Sequence, residues 1–373
     1  MQSSIWFQTL AQDQRLLLEA SDALPKTAEV AIVGSGMSGL AIAYYLLASG
    51  VSSICVLDRD TAVGEASGAN AGGLWFAQQS AEMGPLTPLA KASSRLYDEL
   101  AAQPRWNFDL RRTGLLELLA REQDFPEADG RVEAVRSAGF RAERIGGPEL
   151  RRLEPALGLH GGPAGAIFYP DEGQLHPAKL GAALVRHLKA NHVRFSFHTD
   201  VARIGASRLE TSRGPLDAGT VVITAGSWTP LLTRTLGWTP PIKPMRGQLL
   251  ATPPRSPFLH HTIIGEHFYY WQLTEGHVAG GGTVEDVGFE RGTNPADLAR
   301  IRAEMDTLFP ELRAAPTACA WSGFRPYCQD LRPVIGPVPG HDRIYVAAGH
   351  FKKGIMLSPV TGKILADLIT TGR

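Results

Sequence analysis

Gly34, Gly36 and Gly39 stand in the spacing Gly-x-Gly-x-x-Gly, preceded by the apolar residues 30–33 and followed by the helical pattern of residues 40–47. This is the grammar of a buried strand, a tight turn and a helix start. Gly34 allows the turn, Gly36 lets backbone approach a pyrophosphate, and Gly39 lets the helix pack close to the strand. Met37 and Ser38 open the helix, where unpaired N–H groups and the positive dipole end face phosphates. Asp58 lies nineteen residues after Gly39, at the end of the apolar run 54–57, and Arg59 follows it. A carboxylate at that distance can accept hydrogen bonds from ribose hydroxyls. A glycine triplet alone is weak evidence, but strand, glycines, helix, strand and acid in order point to a dinucleotide. The pattern does not separate FAD from NAD(P).

The elements that must hold these residues can be read next. Residues 64–75 are small, glycine-rich and low in charge, and include Ser67, Gly68, Asn70, Ala71, Gly72 and Gly73 before Leu74 and Trp75. Backbone of this kind can lie against a large flat ligand. Residues 221–224 form a buried strand that ends at Ala225, Gly226, Ser227 and Trp228, and residues 343–349 repeat the pattern into Gly349. Open α/β sheets place ligands at such strand ends. Helices are expected at 88–102, 129–139, 178–191, 295–308 and 360–369. Strands are expected at 193–198, 247–251, 267–273 and 277–282. The proline cluster from 240 to 257 marks a change of character, and the strands beyond it read as an antiparallel sheet inserted into an α/β domain. Residues 1–28, with a short helix at 10–20, read as a surface appendage rather than a lid or a partner contact through Trp6 and Phe7.

A chain of 373 residues has room for two domains. Lys+Arg and Asp+Glu are both 37, so no polyanion or nucleic-acid partner is expected. Three cysteines without paired spacing suit free thiols in a reducing compartment. His260, His261, His267 and His350 have no metal-ligand spacing. The first residues lack a basic, then apolar, secretory pattern, and no apolar run is long enough to span a bilayer. The expectation is a soluble cytoplasmic protein with no membrane span, compatible with a homo-oligomer.

Several separated motifs belong together. They are the glycine turn 34–39, the run 66–75, Arg112-Thr113-Gly114-Leu115, Pro244-Met245-Arg246-Gly247-Gln248 and residues 281–286. The most specific are Trp321-Ser322-Gly323-Phe324-Arg325-Pro326 and Gly349-His350-Phe351-Lys352-Lys353-Gly354-Ile355. From about residue 28 onward the chain resembles the D-amino acid oxidase-like FAD-dependent amine oxidoreductases, the family of glycine oxidase, sarcosine oxidase and the flavin subunit of hydrogen cyanide synthase. The resemblance implies noncovalent FAD on a Rossmann-type domain with an inserted antiparallel substrate domain. It divides the chain into an extension (1–28), a cofactor domain (29–85, 150–230 and 325–373) and a substrate domain (86–149 and 231–324). It also implies that the 67–73 and 349–355 loops wrap the isoalloxazine, that Val201 meets the adenine side, and that Gly226 lines the dinucleotide channel.

The implied reaction is hydride transfer from a carbon bearing a neutral amine to flavin N5, giving an imine that hydrolyses. A planar guanidinium can hold a carboxylate through two parallel hydrogen bonds, and the resemblance gives Arg325 that role towards substrate. It also places a carboxylate-binding tyrosine on the strand that carries Tyr269 and Tyr270. Alternation lets only one face the flavin, and Tyr269 is the preferred one. Lys352 stands where glycine oxidases have arginine. It keeps the charge but loses the fork, which leaves glycine itself open as substrate, and Lys353 reads equally well as solvated. The partners implied are a small carboxylate-bearing amine and oxygen or another electron acceptor. Competing readings are a flavin subunit of a multi-subunit amine dehydrogenase, a noncatalytic flavin-bound partner and, further off, an NAD-only dehydrogenase. Purified protein is expected to be yellow with a flavin absorption spectrum; a colourless preparation that takes up only a nicotinamide cofactor would overturn the FAD reading.

Overall fold

The computed structural model describes residues 4–103, 105–158 and 162–372. Two sheets dominate it. The first runs in the order Val334–Pro337, Ile344–Ala348, Gly214–Ile223, Thr27–Val33, Ile54–Leu57, Arg194–Ser196. Along this path all neighbours are parallel except the outer pair of Val334–Pro337 with Ile344–Ala348, and Arg208–Thr211 with Val201–Ile204 joins Gly214–Ile223 as an antiparallel extension. Val30, Ala31, Ile32 and Val33 are buried together because both faces of the sheet are covered: Val30 and Ile32 pack under helices Met37–Ala48, Pro177–Ala190 and Gly354–Thr371, and Ala31 and Val33 under Ile204, Leu209, Leu216 and Val338. Helix Met37–Ala48 packs on one face against helix Gly354–Thr371. The contact is close at Gly362, where a Cβ would fall 2.7 Å from the backbone of Ala41.

The second sheet runs Cys319–Cys328, Ile242–Ala251, Val278–Gly281, Tyr269–Gln272, Thr262–Ile264, Leu115–Leu119, Gly165–Tyr169, Glu143–Gly146. It is antiparallel except where Thr262–Ile264 meets Leu115–Leu119. Its outer face buries Tyr270 and Val278 beneath Ile301 and Met305 of helix Pro295–Leu308 and the Phe309 that follows it. Its inner face looks at the strand ends of the first sheet. Rossmann-type α/β architecture with a second sheet is therefore the observed fold class. Gly165–Tyr169, inside the stretch expected for the cofactor domain, pairs in the second sheet, and strand Cys319–Cys328 runs through the boundary expected at 325. A strand's partner is a tertiary fact that local pattern does not carry. No helix among the described residues is long and apolar enough to cross a membrane.

The expectation of a surface appendage at the N-terminus is corrected. Ser4, Ile5, Trp6 and Phe7 are almost completely buried. Helices Ile5–Gln8 and Gln12–Glu19 lie against the main body, the second of them on helix Pro177–Ala190. The reason is compositional: three large apolar side chains in a row bury more surface than a four-residue helix can hide alone. The C-terminal helix also begins earlier than expected, at Gly354, and passes through Pro359.

Two glycine-to-alanine changes should move stability in opposite directions. Gly362→Ala forces backbone apart between packed helices and should cost about 1–3 kcal/mol. Gly130→Ala, in helix Phe125–Ser137 with nothing within 4 Å of its added Cβ, should gain roughly 0.5–1 kcal/mol. Urea denaturation midpoints of the two variants check this.

Candidate functional site

A cleft of about 620 Å³ runs between the carboxyl ends of the parallel strands and the inner face of the second sheet. Its first wall is the glycine turn. Gly34 has φ +116°, and a Cβ there would come within 2.5 Å of the Thr224 carbonyl oxygen; one on Gly39 would come within 2.0 Å of the Gly34 oxygen. Only glycine lets strand, turn and helix meet this closely. Gly34, Gly36, Met37 and Ser38 line the cleft, and Gly39 stands behind them. Asp58 also lines it, and braces the turn as well. One of its oxygens accepts from the Ser35 N–H and hydroxyl, both at 2.7 Å, and the other from Asp60 N–H at 3.0 Å. Burial raises its pKa, and those hydrogen bonds pull the other way.

Ser67, Asn70, Ala71 and Gly73 line the adjoining wall. The Ser67 hydroxyl accepts from Met37 N–H at 2.9 Å, tying this loop to the helix start. Gly68 and Gly72 stand one layer back, where a Cβ would strike the carbonyl oxygens of Val63 and Leu175 at 2.3 and 2.2 Å. At the far end Val201, Ala225, Gly226 and Trp228 line the cleft, with the Arg59 guanidinium 3.9 Å over the Trp228 ring. Glu65 holds Arg59 at 2.7 Å and Arg291 at 2.8 Å, so it joins the two sheets across this end.

The opposite end is built from the second sheet and the 349–355 loop. Phe351, Lys352, Gly354 and Ile355 line the cleft; Gly349 lies behind it, packed against Cys328. Lys352 is exposed. Lys353, expected either as a cofactor contact or as a solvated side chain, is wholly buried and does not line the cleft; its Nζ lies 3.5 Å from Glu82, and burial lowers its pKa. Tyr269 lines the cleft, edge-on to Trp75 with ring centroids 4.9 Å apart. Tyr270 faces the other way and its hydroxyl donates to the Ile301 carbonyl at 3.1 Å. Arg325 lines the cleft beside them. Its Nη1 donates to the Thr283 carbonyl at 2.7 Å, and its guanidinium lies over Gly247, where a Cβ would fall 2.0 Å from Nη1. No carboxylate among the described residues pairs with it.

Three positions were not legible in the sequence. Trp75 lines the cleft with a buried indole N–H that has no partner among the described residues, and Gln79, also on the wall, has a buried oxygen in the same state. Glu172 sits in a turn sequence that reads as surface, yet is 1 % exposed. Its carboxyl accepts from the Ala77 and Gln78 N–H groups, so it holds the wall segment that carries Trp75 and Gln79. Burial pushes its pKa up to about 8.

Residues 29–368 match the family described as FAD-dependent oxidoreductase, DAO. The chain belongs to the DAO family of FAD-dependent oxidoreductases. It is 29% identical to glycine oxidase of Geobacillus kaustophilus over 350 residues, covering 91% of this chain and 92% of that protein. It is 28% identical to hydrogen cyanide synthase subunit HcnC of Pseudomonas aeruginosa, covering 92% and 93%. The crystal structure of the Geobacillus kaustophilus glycine oxidase superposes with a TM-score of 0.86 at 28% identity, covering 92% of this chain and 95% of that one. FAD, the family's cofactor, suits the cleft on the chain's own atoms. The glycine turn admits a pyrophosphate, and the orphaned Trp75 N–H and Gln79 oxygen lie on the wall where a polar ring system would find them.

Glu172 makes a pH test. Its folded pKa of about 8 lies above the ordinary 4.5, so the folded chain keeps a proton that the unfolded chain releases. That stability is full below pH 4.5 and is lost as pH rises towards 8. Glu172→Gln keeps a neutral acceptor throughout. Relative to the variant, the unmodified protein should lose roughly 1–3 kcal/mol of unfolding free energy between pH 5 and pH 8, read from denaturant midpoints at the two pH values.

Proposed function

We propose that the protein oxidises a small amine or amino acid that carries a carboxylate, with Arg325 holding that carboxylate. The observation that carries this reading is the state of Arg325: a half-buried guanidinium on the cleft wall, aimed by one carbonyl and without an ion-pair partner among the described residues. A desolvated cation of this kind gains most from a planar anion that can take two parallel hydrogen bonds. The glycine oxidase relatives support a small amino acid as the class.

FAD, when bound, supplies the acceptor for the hydride at its N5. The chain's contribution is binding and aim. Thr283 fixes one guanidinium nitrogen, and Gly247 gives the group room to lie flat on the strand. Tyr269 lines the cleft from the same sheet and offers its hydroxyl to the same carboxylate, with Trp75 edge-on to its ring. Leu249, Ile264 and Trp75 supply apolar wall and keep water from the reacting carbon. A substrate amine that arrives neutral brings its own electron push, so orientation outweighs a strong base. Lys352 adds positive charge at the same end, which favours anionic charge developing nearby.

Anaerobic addition of glycine, sarcosine or D-amino acids to the holoenzyme, followed at the flavin absorption band, tests the proposal. At least one should bleach the band; failure of every carboxylate-bearing amine, with bleaching by an amine that lacks the group, would overturn it. Release of hydrogen peroxide on admitting air then distinguishes oxygen from another acceptor. Arg325→Ala should cost about 2–4 kcal/mol of transition-state binding, roughly 30- to 1,000-fold in kcat/KM, with FAD retained and Arg325→Lys in between. Steady-state kinetics with the identified substrate provide the measurement.

A further inference from the structure

Residues 4–9 lie outside the segment that matches the family, yet they are packed onto the loop that shapes the cofactor cleft. Three consecutive carbonyls of that loop each receive a side-chain donor from elsewhere in the chain. Ser4 Oγ donates to Gly68 O at 2.7 Å, Trp321 Nε1 to Ala69 O at 3.1 Å, and Trp6 Nε1 to Asn70 O at 2.6 Å. Two of the three donors come from the N-terminal segment. Phe7 closes the same surface: a Cβ on Gly68 would fall 2.6 Å from its ring. The loop cannot shift outward while these side chains are in place.

The segment is itself tied down. The Trp6 ring is edge-on to His176 at 4.8 Å and stacked on Trp271 at 6.1 Å with 16° between planes. Thr9 Oγ1 lies 3.0 Å from His176 Nε2, and Arg15 donates to the Phe7 carbonyl at 2.7 Å. Burial lowers the His176 pKa to about 3, so its ring is neutral; Nδ1 accepts the Lys179 N–H at 3.1 Å, which puts the ring proton on Nε2 as the donor to Thr9 Oγ1. On the other side of the loop, Ser67 Oγ takes the Met37 N–H, and the Asn70 side chain closes the loop on itself through Ala66 O, Ser67 O and Gly72 N–H. A continuous path therefore runs from Ser4 and Trp6, through the backbone at 68–70, to Ser67 and the start of the phosphate-facing helix.

We propose that residues 4–9 are an internal clamp on the cofactor loop: they hold residues 66–72 in the shape that lines the cleft, and FAD retention depends on them. Ser4, Trp6 and Phe7 are positioning residues, since the cleft wall is formed by other side chains. A buried carbonyl deprived of its donor costs the desolvation of that group, and the loop escapes the cost by moving out to water. Such movement would pull Ser67 from Met37 and open the wall beside the phosphate-facing turn.

The test uses FAD affinity, measured by quenching of flavin fluorescence when apoprotein is titrated, together with melting temperatures of apoprotein and holoenzyme. Trp6→Phe keeps a ring and removes only the donor; combined with Ser4→Ala it should weaken FAD binding about tenfold or more. It should also narrow the gap between apo and holo melting temperatures. Asp13→Ala breaks the exposed pair with Arg186, also in the N-terminal region but away from the loop, and should leave FAD affinity unchanged. A variant lacking residues 2–10 should lose FAD on gel filtration and regain it when a synthetic peptide of residues 1–24 is added. A purely structural role would lower both melting temperatures together and leave FAD affinity alone. Unmodified FAD affinity in the Ser4→Ala/Trp6→Phe protein would overturn the clamp, whether or not the truncated chain folds.

Discussion

The molecule depends on a close approach of backbone at Gly34. The ends of three strands meet there. Thr224 N–H donates to Val33 O at 2.8 Å and its hydroxyl to Gly34 O at 2.8 Å, while Asp58 takes both donors of Ser35. The turn is therefore held from the strand on either side, and the following helix starts at a fixed height above the sheet. No side chain fits between Gly34 and Thr224 or between Gly39 and Gly34. The phosphate-facing N–H groups thus owe their position to hydrogen bonds that the parallel sheet makes for its own stability. Preorganisation of this kind removes an ordering cost at the moment of binding.

The second sheet must be set against that turn, and few contacts do it. Ser227 Oγ donates to Phe324 O at 3.2 Å, Trp321 Nε1 to Ala69 O, and Arg291 crosses to Glu65. Each lies at the edge of the cleft rather than within it, so the walls are fixed while the space between them stays free. Glu172 does the same work at the other end, receiving N–H groups of the segment that bears Trp75. The buried acid costs desolvation, which is why its proton is held so tightly; in exchange, irregular backbone at the wall has an acceptor where no strand could provide one.

Much of this was legible in the sequence where local rules decide. The glycine turn, the parallel strands and helix Pro295–Leu308 follow from periodicity and turn chemistry. Alternation correctly separates Tyr269 from Tyr270, because a strand must send neighbours to opposite faces. What was not legible depends on distant partners. Glu172 lies in a turn that local composition places at the surface, and nothing near it in sequence announces the two N–H groups it accepts. Lys353 reads as either a cofactor contact or a solvated neighbour of Lys352, yet the 3₁₀ turn at Phe351–Lys353 sends one lysine outward and the other into the interior beside Glu82. The N-terminal segment fails for the opposite reason. Its Ile-Trp-Phe run is a burial signal, but position at a chain end argues locally for exposure, and only the tertiary packing decides between them.

The two arginines on the edge strand pair of the second sheet show what the structure adds to residue type. Arg246 and Arg325 occupy adjacent strands, with Arg246 opposite Phe324 and Arg325 opposite Met245. By sequence both are cations inside strands. Arg246 turns to the outer side, where Glu285 receives Nε at 3.2 Å and Nη2 at 2.7 Å and the Glu290 carbonyl receives Nη1. Its fork is full, and burying it serves the loop that carries Glu285. Arg325 turns to the cleft, gives one nitrogen to a carbonyl, and keeps the rest of its fork towards open space. A charge left partly unsatisfied at a half-buried position is a cost to the fold. Strand alternation explains why the two face opposite ways, and the uneven distribution of acids between the two faces explains why one arginine is structural and the other is left for a ligand.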